Sequence, residues 1–432
     1  MEAHLLVVAI FALGILVGLP VAFVLLIAAF AGLVALRGFP VAMIALSNMP
    51  YGKVTDLALM TIPLFILMGA FATQAGVSAS AYQMANRFVG HLRGGLGMAT
   101  VFACAAFAAT SGSSVATSAA VGRIALSEMR RFGYDRSVTA GTIASAGLLG
   151  IMIPPSIMLV VYGIITQTDI GQLLVAGVLP GILTGGVFCL GLYLLARLRP
   201  DLMPRADQRF SWRQRVSGLR DGWGIAVLFG VIVGGIYSGL FTATEAAAVG
   251  AVAAFLMVLA RHGFQWRALL SSSREAAGSC AMIFLILIGA GLLSQYIALS
   301  GLARLLGGIV SDSGLPAWVI LAIILAAYIP LGMFLEPISL CLITLPIVFP
   351  TVTALGYDPI WFGIIVVKMS ELANITPPLG VNVFVIKAID PDMPITAVFR
   401  GAGFFVLLEL VTLALLVALP EISLLLPQLM LG

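Results

Sequence analysis

Charge is what this sequence has least of. Only 9% of its 432 residues are Asp, Glu, Lys or Arg, while 61% are hydrophobic and the mean hydropathy is +1.14. A soluble domain carries about 25% charged residues. Too few are present to cover a water-exposed surface, which excludes soluble enzymes, disordered chains and secreted disulfide scaffolds. Cysteine is equally sparse: Cys104, Cys189, Cys280 and Cys341 all sit inside apolar runs and read as small packing residues, not as a disulfide or metal set. His4, His91 and His262 are far apart, with no metal-ligand spacing. No Walker loop points to ATP use, and no His-Glu-x-x-His or Gly-x-Gly-Asp motif points to an intramembrane protease. The net charge of +4 comes from loop arginines and gives no footprint for nucleic acid. The first apolar run lacks a basic n-region and a small-residue cleavage site, so it reads as mature structure.

What the chain does have is long apolar runs. A spanning helix needs about 20 such residues, and the runs supply material for about ten membrane-embedded segments. Barrel strands would alternate polar and apolar residues, and stretches such as Val231 to Leu240 do not. The expected fold is all-α, polytopic and embedded in a lipid bilayer.

Cytoplasmic loops are enriched in Lys and Arg. Arg197 to Asp221 holds seven arginines against three aspartates and is expected in the cytoplasm, together with Arg87/Arg93, Arg123/Arg130/Arg131/Arg136 and Arg261/Arg267/Arg274. Leu305 to Val367 has no Lys or Arg, so the turns Ser311-Asp312-Ser313-Gly314 and Gly356-Tyr357-Asp358 should face the opposite side. Leu5 to Leu36 reads as one long tilted helix or as two short ones broken at Gly18-Leu19-Pro20.

Two segments resist assignment as ordinary crossings. Arg93 to Arg123 is too long for one helix and too short for two full spans, and centres on Thr110-Ser111-Gly112-Ser113-Ser114. Basic residues flank both ends, so a re-entrant hairpin from the cytoplasmic side is expected, its irregular tip tolerated only where protein or a wet cavity satisfies it. Pro316 to Pro350, with Leu335-Glu336-Pro337-Ile338-Ser339 between two apolar arms, reads as a second hairpin from the opposite face.

An internal duplication links these pieces. Gly133-Tyr134-Asp135 precedes Ile153-Pro154-Pro155 by the interval at which Gly356-Tyr357-Asp358 precedes Thr376-Pro377-Pro378, and both motifs recur 223 residues apart (356 minus 133). The same offset maps one hairpin tip onto the other. Four arginines before the first Pro-Pro helix and none before the second imply opposite orientations, and inverted repeats with broken helices mark secondary transporters.

Each Pro-Pro pair interrupts an apolar helix, since proline removes a hydrogen bond and clashes one turn back. The first break frees carbonyls from Gly147 to Ile153 as oxygen ligands for a desolvated Na⁺; the second frees those around Asn374 and Thr376. Half-helix N-termini at the tips present N–H groups to an anion. The expected substrate-binding residues are Ser113, Ser114, Pro154, Glu336, Ser339 and Thr376. The expected Na⁺ residues are Ser111, Gly112, Gly147, Gly150, Pro337, Asn374 and, again, Thr376. Each hydroxyl taken singly is equally compatible with bonding back to its own helix. Lys368 and Glu371, three apart, read as a structural ion pair; Glu336 as orienting its tip or an ion site; Glu245 as a first-turn residue favoured by the helix dipole.

With Ala109-Thr110-Ser111-Gly112-Ser113-Ser114, Ile153-Pro154-Pro155-Ser156, Thr244-Glu245-Ala246-Ala247-Ala248 and Thr376-Pro377-Pro378-Leu379-Gly380 in order, the chain resembles, over nearly its whole length, the large membrane subunit of TRAP (tripartite ATP-independent periplasmic) transporters. The resemblance implies a multi-pass permease of the bacterial inner membrane, not an enzyme and without a cofactor. It implies Na⁺-coupled uptake of an organic acid delivered by a periplasmic solute-binding protein, with a small four-helix membrane subunit as a separate chain. It also implies an elevator mechanism with an inverted-repeat division: scaffold helices 1–93, a first transport repeat 94–165, scaffold and connecting helices 166–314 with cytoplasmic loop 197–222, a second repeat 315–388, and a C-terminal helix 389–432. A stand-alone Na⁺-coupled anion or dicarboxylate symporter of related architecture is the alternative; a channel suits paired inverted hairpins less well.

Overall fold

The computed structural model describes residues 2–431 apart from 206–209, 303, 304, 306, 307, 309–312 and 379. The expected turn residues Ser311 and Asp312, loop residues Asp207 and Arg209, and motif residue Leu379 therefore lie outside the described residues. Every regular element is helical among the described residues. Among the described residues, seven helices are long and apolar enough to cross a bilayer, or up to nine if each bent pair counts as one span, against the about ten segments expected.

The ambiguous N-terminus is two helices, α1 (Glu2–Leu16) and α2 (Val21–Arg37), separated by a left-handed Gly18 and Pro20. They run antiparallel: Gly14 lies against Val24 and Gly32 against Val7. Helices α3 (Phe39–Val54), α4 (Thr61–Gln74) and α5 (Val77–Val89) follow. The first hairpin is α6 (Gly95–Ser111) and α7 (Ser114–Arg131), turning at Gly112-Ser113. The first broken helix comprises α8 (Arg136–Ala146), the single turn α9 (Leu149–Met152) and α10 (Ile157–Thr166), bent by 42°.

Next come α11 (Ile170–Ala176), α12 (Val178–Leu198), α13 (Trp212–Asp221), α14 (Trp223–Phe229), the short α15 (Gly235–Tyr237), α16 (Ala243–His262) and α17 (Trp266–Ser300). The interval expected as a polar loop thus contains α13, because Ser211 and Gln214 form a capping box that satisfies two orphan N–H groups. It meets α14 at a 48° bend that the sequence did not announce. Glu245 sits as expected: with Thr242 it closes the capping box of α16.

The second half repeats the first. Its hairpin is α18 (Ala317–Phe334) and α19 (Pro337–Ala354), its broken helix α20 (Pro359–Ile375) and α21 (Val381–Ile389), followed by α22 (Ile395–Ala418) and α23 (Glu421–Leu431). Helices α7 and α19 start 223 residues apart (337 minus 114), as do α8 and α20 (359 minus 136). The arms of the second hairpin have 18 residues each, a length that also satisfies a full crossing.

The duplicated Gly-Tyr-Asp motif now has a local cause. Gly133 and Gly356 take positive φ, which ends one helix, and Asp135 and Asp358 cap the next. Asp135 Oδ1 accepts from Ser137 and Val138 N–H at 2.8 and 3.1 Å, Asp358 Oδ1 from Ile360 and Trp361 at 2.8 and 3.0 Å. Tyr134 accepts a 3.4 Å bond from Leu96 N–H, tying this turn to the base of the first hairpin; burial pushes its phenol up to about 12.

The halves interlock reciprocally. The helix after the first break, α10, packs on α19 and α20; the helix after the second, α21, packs on α7 and α8. Asn382 on α21 is buried and donates to Ala144 O at 3.0 Å. Helix α22 lies on α8 where Gly141 meets Gly401, so close that a Cβ on Gly401 would stand 1.8 Å from Ser137 O.

Candidate substrate and ion site

In the first half the predicted residues come together. Gly112, left-handed at the tip, lies against the first break: a Cβ there would stand 2.7 Å from Pro155 O. A Cβ on Gly150 would meet Ser113 O and Thr117 Oγ1 at 2.5 Å, and one on Gly147 would meet Ser118 Oγ at 1.8 Å and Ser114 O at 3.1 Å. Two glycines thus let the broken helix approach a row of tip carbonyls and hydroxyls. Ser111 Oγ is 2.7 Å from Thr117 Oγ1, and Ser113 Oγ caps Ala116 N–H at 3.3 Å. Ser118 Oγ and Ser145 Oγ are buried without a protein partner. Thr117 and Ser118 escaped the sequence reading. Their one available signal was position, four residues beyond Ser113 and Ser114 and so on the same helix face.

In the second half the tip is held by Glu336. Its Oε1 accepts from Ser339 N–H and Oγ–H, both at 3.0 Å, and Pro337 occupies the first helical turn, where its missing N–H costs nothing. The side chain is therefore an N-cap and sits where Ser113 sits in the first hairpin (336 minus 223). The hairpin reaches the second broken helix where Gly332 meets Ala373. Asn374 is 2% exposed, and neither its Nδ2 nor its Oδ1 has a protein partner. A buried primary amide with both ends free is costly unless a ligand satisfies it. Thr376, by contrast, spends its hydroxyl on Leu372 O at 2.6 Å, so what it offers is geometry at the break. Pro154 likewise contributes through the break itself.

The expected Lys368–Glu371 pair exists, with Nζ 2.6 Å from Glu371 Oε2. It is part of something larger. Glu409 Oε2 on α22 lies 2.5 Å from the same ammonium and Thr184 Oγ1 on α12 at 2.9 Å. Glu409, Thr184 and Asn382 were invisible in the sequence because each meets its partner through a distant helix.

Interrupted helices, paired hairpins and a fold made almost wholly of apolar helices define the class: a polytopic helical membrane protein. The solved structure of the YdaH transporter of Alcanivorax borkumensis has a similar fold, with a TM-score of 0.65 at 16% identity and 90% of each chain covered. Residues 8–422 match the family model described as the tripartite ATP-independent periplasmic transporter, DctM component, and the chain belongs to that family. It is 41% identical over 372 residues to the C4-dicarboxylate TRAP transporter large permease protein DctM of Pseudomonas aeruginosa, covering 86% of each chain. To the sialic acid TRAP transporter large permease protein SiaM of Vibrio cholerae it is 30% identical, covering 97% of both. The isethionate TRAP transporter permease protein DctMQ of Oleidesulfovibrio alaskensis is 33% identical over 88% of this chain but only 59% of its own length. The chain is thus a large permease component of the bacterial inner membrane.

Proposed function

We propose that this permease couples inward Na⁺ movement to uptake of a small organic acid, delivered by a periplasmic solute-binding protein. The observation that carries this reading is the pairing of each hairpin tip with a helix break, where buried polar atoms have no protein partner: Ser118 in one half, Asn374 in the other. Ser113 and Ser114 carbonyls against Gly147 and Gly150 suit one Na⁺; Asn374 beside the second break suits another. The N-termini of α7 and α19 supply N–H dipoles for a carboxylate. The two hairpins enter from opposite faces and move with the broken helices as an elevator against the remaining helices. Reciprocal packing of α10 and α21 supports that reading, since it makes the two units one body.

Relatives named for C4-dicarboxylates and sialic acid support an acid as substrate. The longer DctMQ chain, of which this one matches 59%, supports a small subunit as a partner. The test is uptake into proteoliposomes holding this permease and the small subunit, with candidate binding proteins. Accumulation requires both an inward Na⁺ gradient and the binding protein. Uptake indifferent to Na⁺ overturns the coupling, and uptake of free substrate without a binding protein favours a stand-alone symporter.

A further inference from the structure

Lys368, Glu371 and Glu409 are each 1% exposed or less, and together they carry one positive and two negative formal charges. An uncompensated charge inside a protein costs several kcal/mol, and more so in a membrane. We infer that Glu371 and Glu409 hold one proton between them, making the cluster a proton-binding site.

Hydrogen bonding favours this. The ammonium donates to Glu371 Oε2 and to Thr184 Oγ1. Glu409 Oε2 lies 2.5 Å from the same ammonium, and neither Glu371 Oε1 nor Glu409 Oε1 accepts from any protein donor. Two carboxyl groups with spare oxygens around one cation bind a single proton readily.

The neighbouring helices offer no second countercharge. On α22, Arg400 is nine residues from Glu409, more than two turns away. Arg136 opens α8 beside the Gly141–Gly401 contact, at that same far end. Asp358 is bound to its own helix N-terminus on α20, and Lys387 on α21 donates to Pro391 and Met393 carbonyls. Arg197 ends α12, thirteen residues from Thr184, and Glu421 opens α23. None forms an ion pair with the cluster among the described residues.

The first half packs without such a group. The positions 223 residues before Lys368, Glu371 and Glu409 are Ser145, Leu148 and Gly186. The duplicated plan is thus built in the first half without the cluster, whose Lys368 and Glu371 lie on the helix that ends in the second break. Among the described residues, buried charged side chains of this kind occur in the second half.

Infrared spectroscopy of the purified permease in lipid nanodiscs tests this without reference to the coupling ion. At neutral pH the wild type should show a carboxylic-acid C=O band from the cluster. That intensity should be lost in both Glu371→Gln and Glu409→Gln, where one carboxylate neutralises the lysine. Lys368→Met should gain the intensity of one further protonated carboxyl. A wild-type spectrum with no such band overturns the inference. So does a band that both glutamine variants retain, which would assign it to another buried acid such as Glu336.

Discussion

The two halves share a backbone plan and divide its chemistry. In the first, the hairpin meets the broken helix through oxygen: Thr117 Oγ1 and Ser113 O face Gly150. In the second, the equivalent positions are Leu340, Glu336 and Ala373, and the crossing is apolar, Gly332 against Ala373 with Leu340 beside it. Polarity there moves one residue on, to Asn374, whose counterpart is Ile151, and into the buried Lys368 cluster, whose counterparts are Ser145 and Leu148. A duplicated fold needs its caps and breaks in both copies because they make the backbone. It needs its ligands only where a ligand goes.

The comparison breaks hardest at Lys368. Lys368→Met strips the countercharge from a buried carboxylate and should cost about 3–5 kcal/mol, read as a large drop in melting temperature and in folded yield. Ser145→Ala, at the matching first-half position, should stay within about 1 kcal/mol, since its hydroxyl has no protein partner. Equal effects would mean that the halves are loaded alike.

Next in size is the contact that pins α22 on α8. Gly141→Leu drives a side chain into the Gly401 backbone and should cost about 3 kcal/mol. Gly403→Ala, with open space around it, should stay within about 0.5 kcal/mol. Thermal unfolding of both in one detergent checks this.

Smaller still are the effects expected at the proposed ion site. Asn374→Ala should raise the Na⁺ concentration for half-maximal uptake by about tenfold, equivalent to about 1.4 kcal/mol. Thr376→Ala should raise it less, because that hydroxyl is committed to Leu372 O. Reversal of this order would move the second site from the amide to the hydroxyl.

The smallest effects should fall on the paired caps. Ser113→Ala and Glu336→Ala each remove an N-cap acceptor, worth about 1 kcal/mol. If both lower the melting temperature alike while only one changes transport, the caps are common architecture and that one tip has an added task.

What the sequence by itself determined is whatever depends on neighbours along the chain. Apolar runs set the membrane class, and Pro154-Pro155 and Pro377-Pro378 placed the breaks. Gly112-Ser113 and Glu336-Pro337 placed the turns, and Gly-Tyr-Asp placed the capped helix starts, because stops, caps and dihedral limits act within a few residues. The capping box of α13 was equally local, but seven arginines around it masked the signal. Tertiary structure alone decided the rest. It folded α1 and α2 into an antiparallel pair, chose Thr117 and Ser118 to face Gly147 and Gly150, and brought Thr184 and Glu409 to Lys368 from helices about 184 and 41 residues away in the chain. Helix periodicity says which residues share a face but not which face meets which. That choice is made by packing between distant segments, and the side chains left without protein partners are fixed only there.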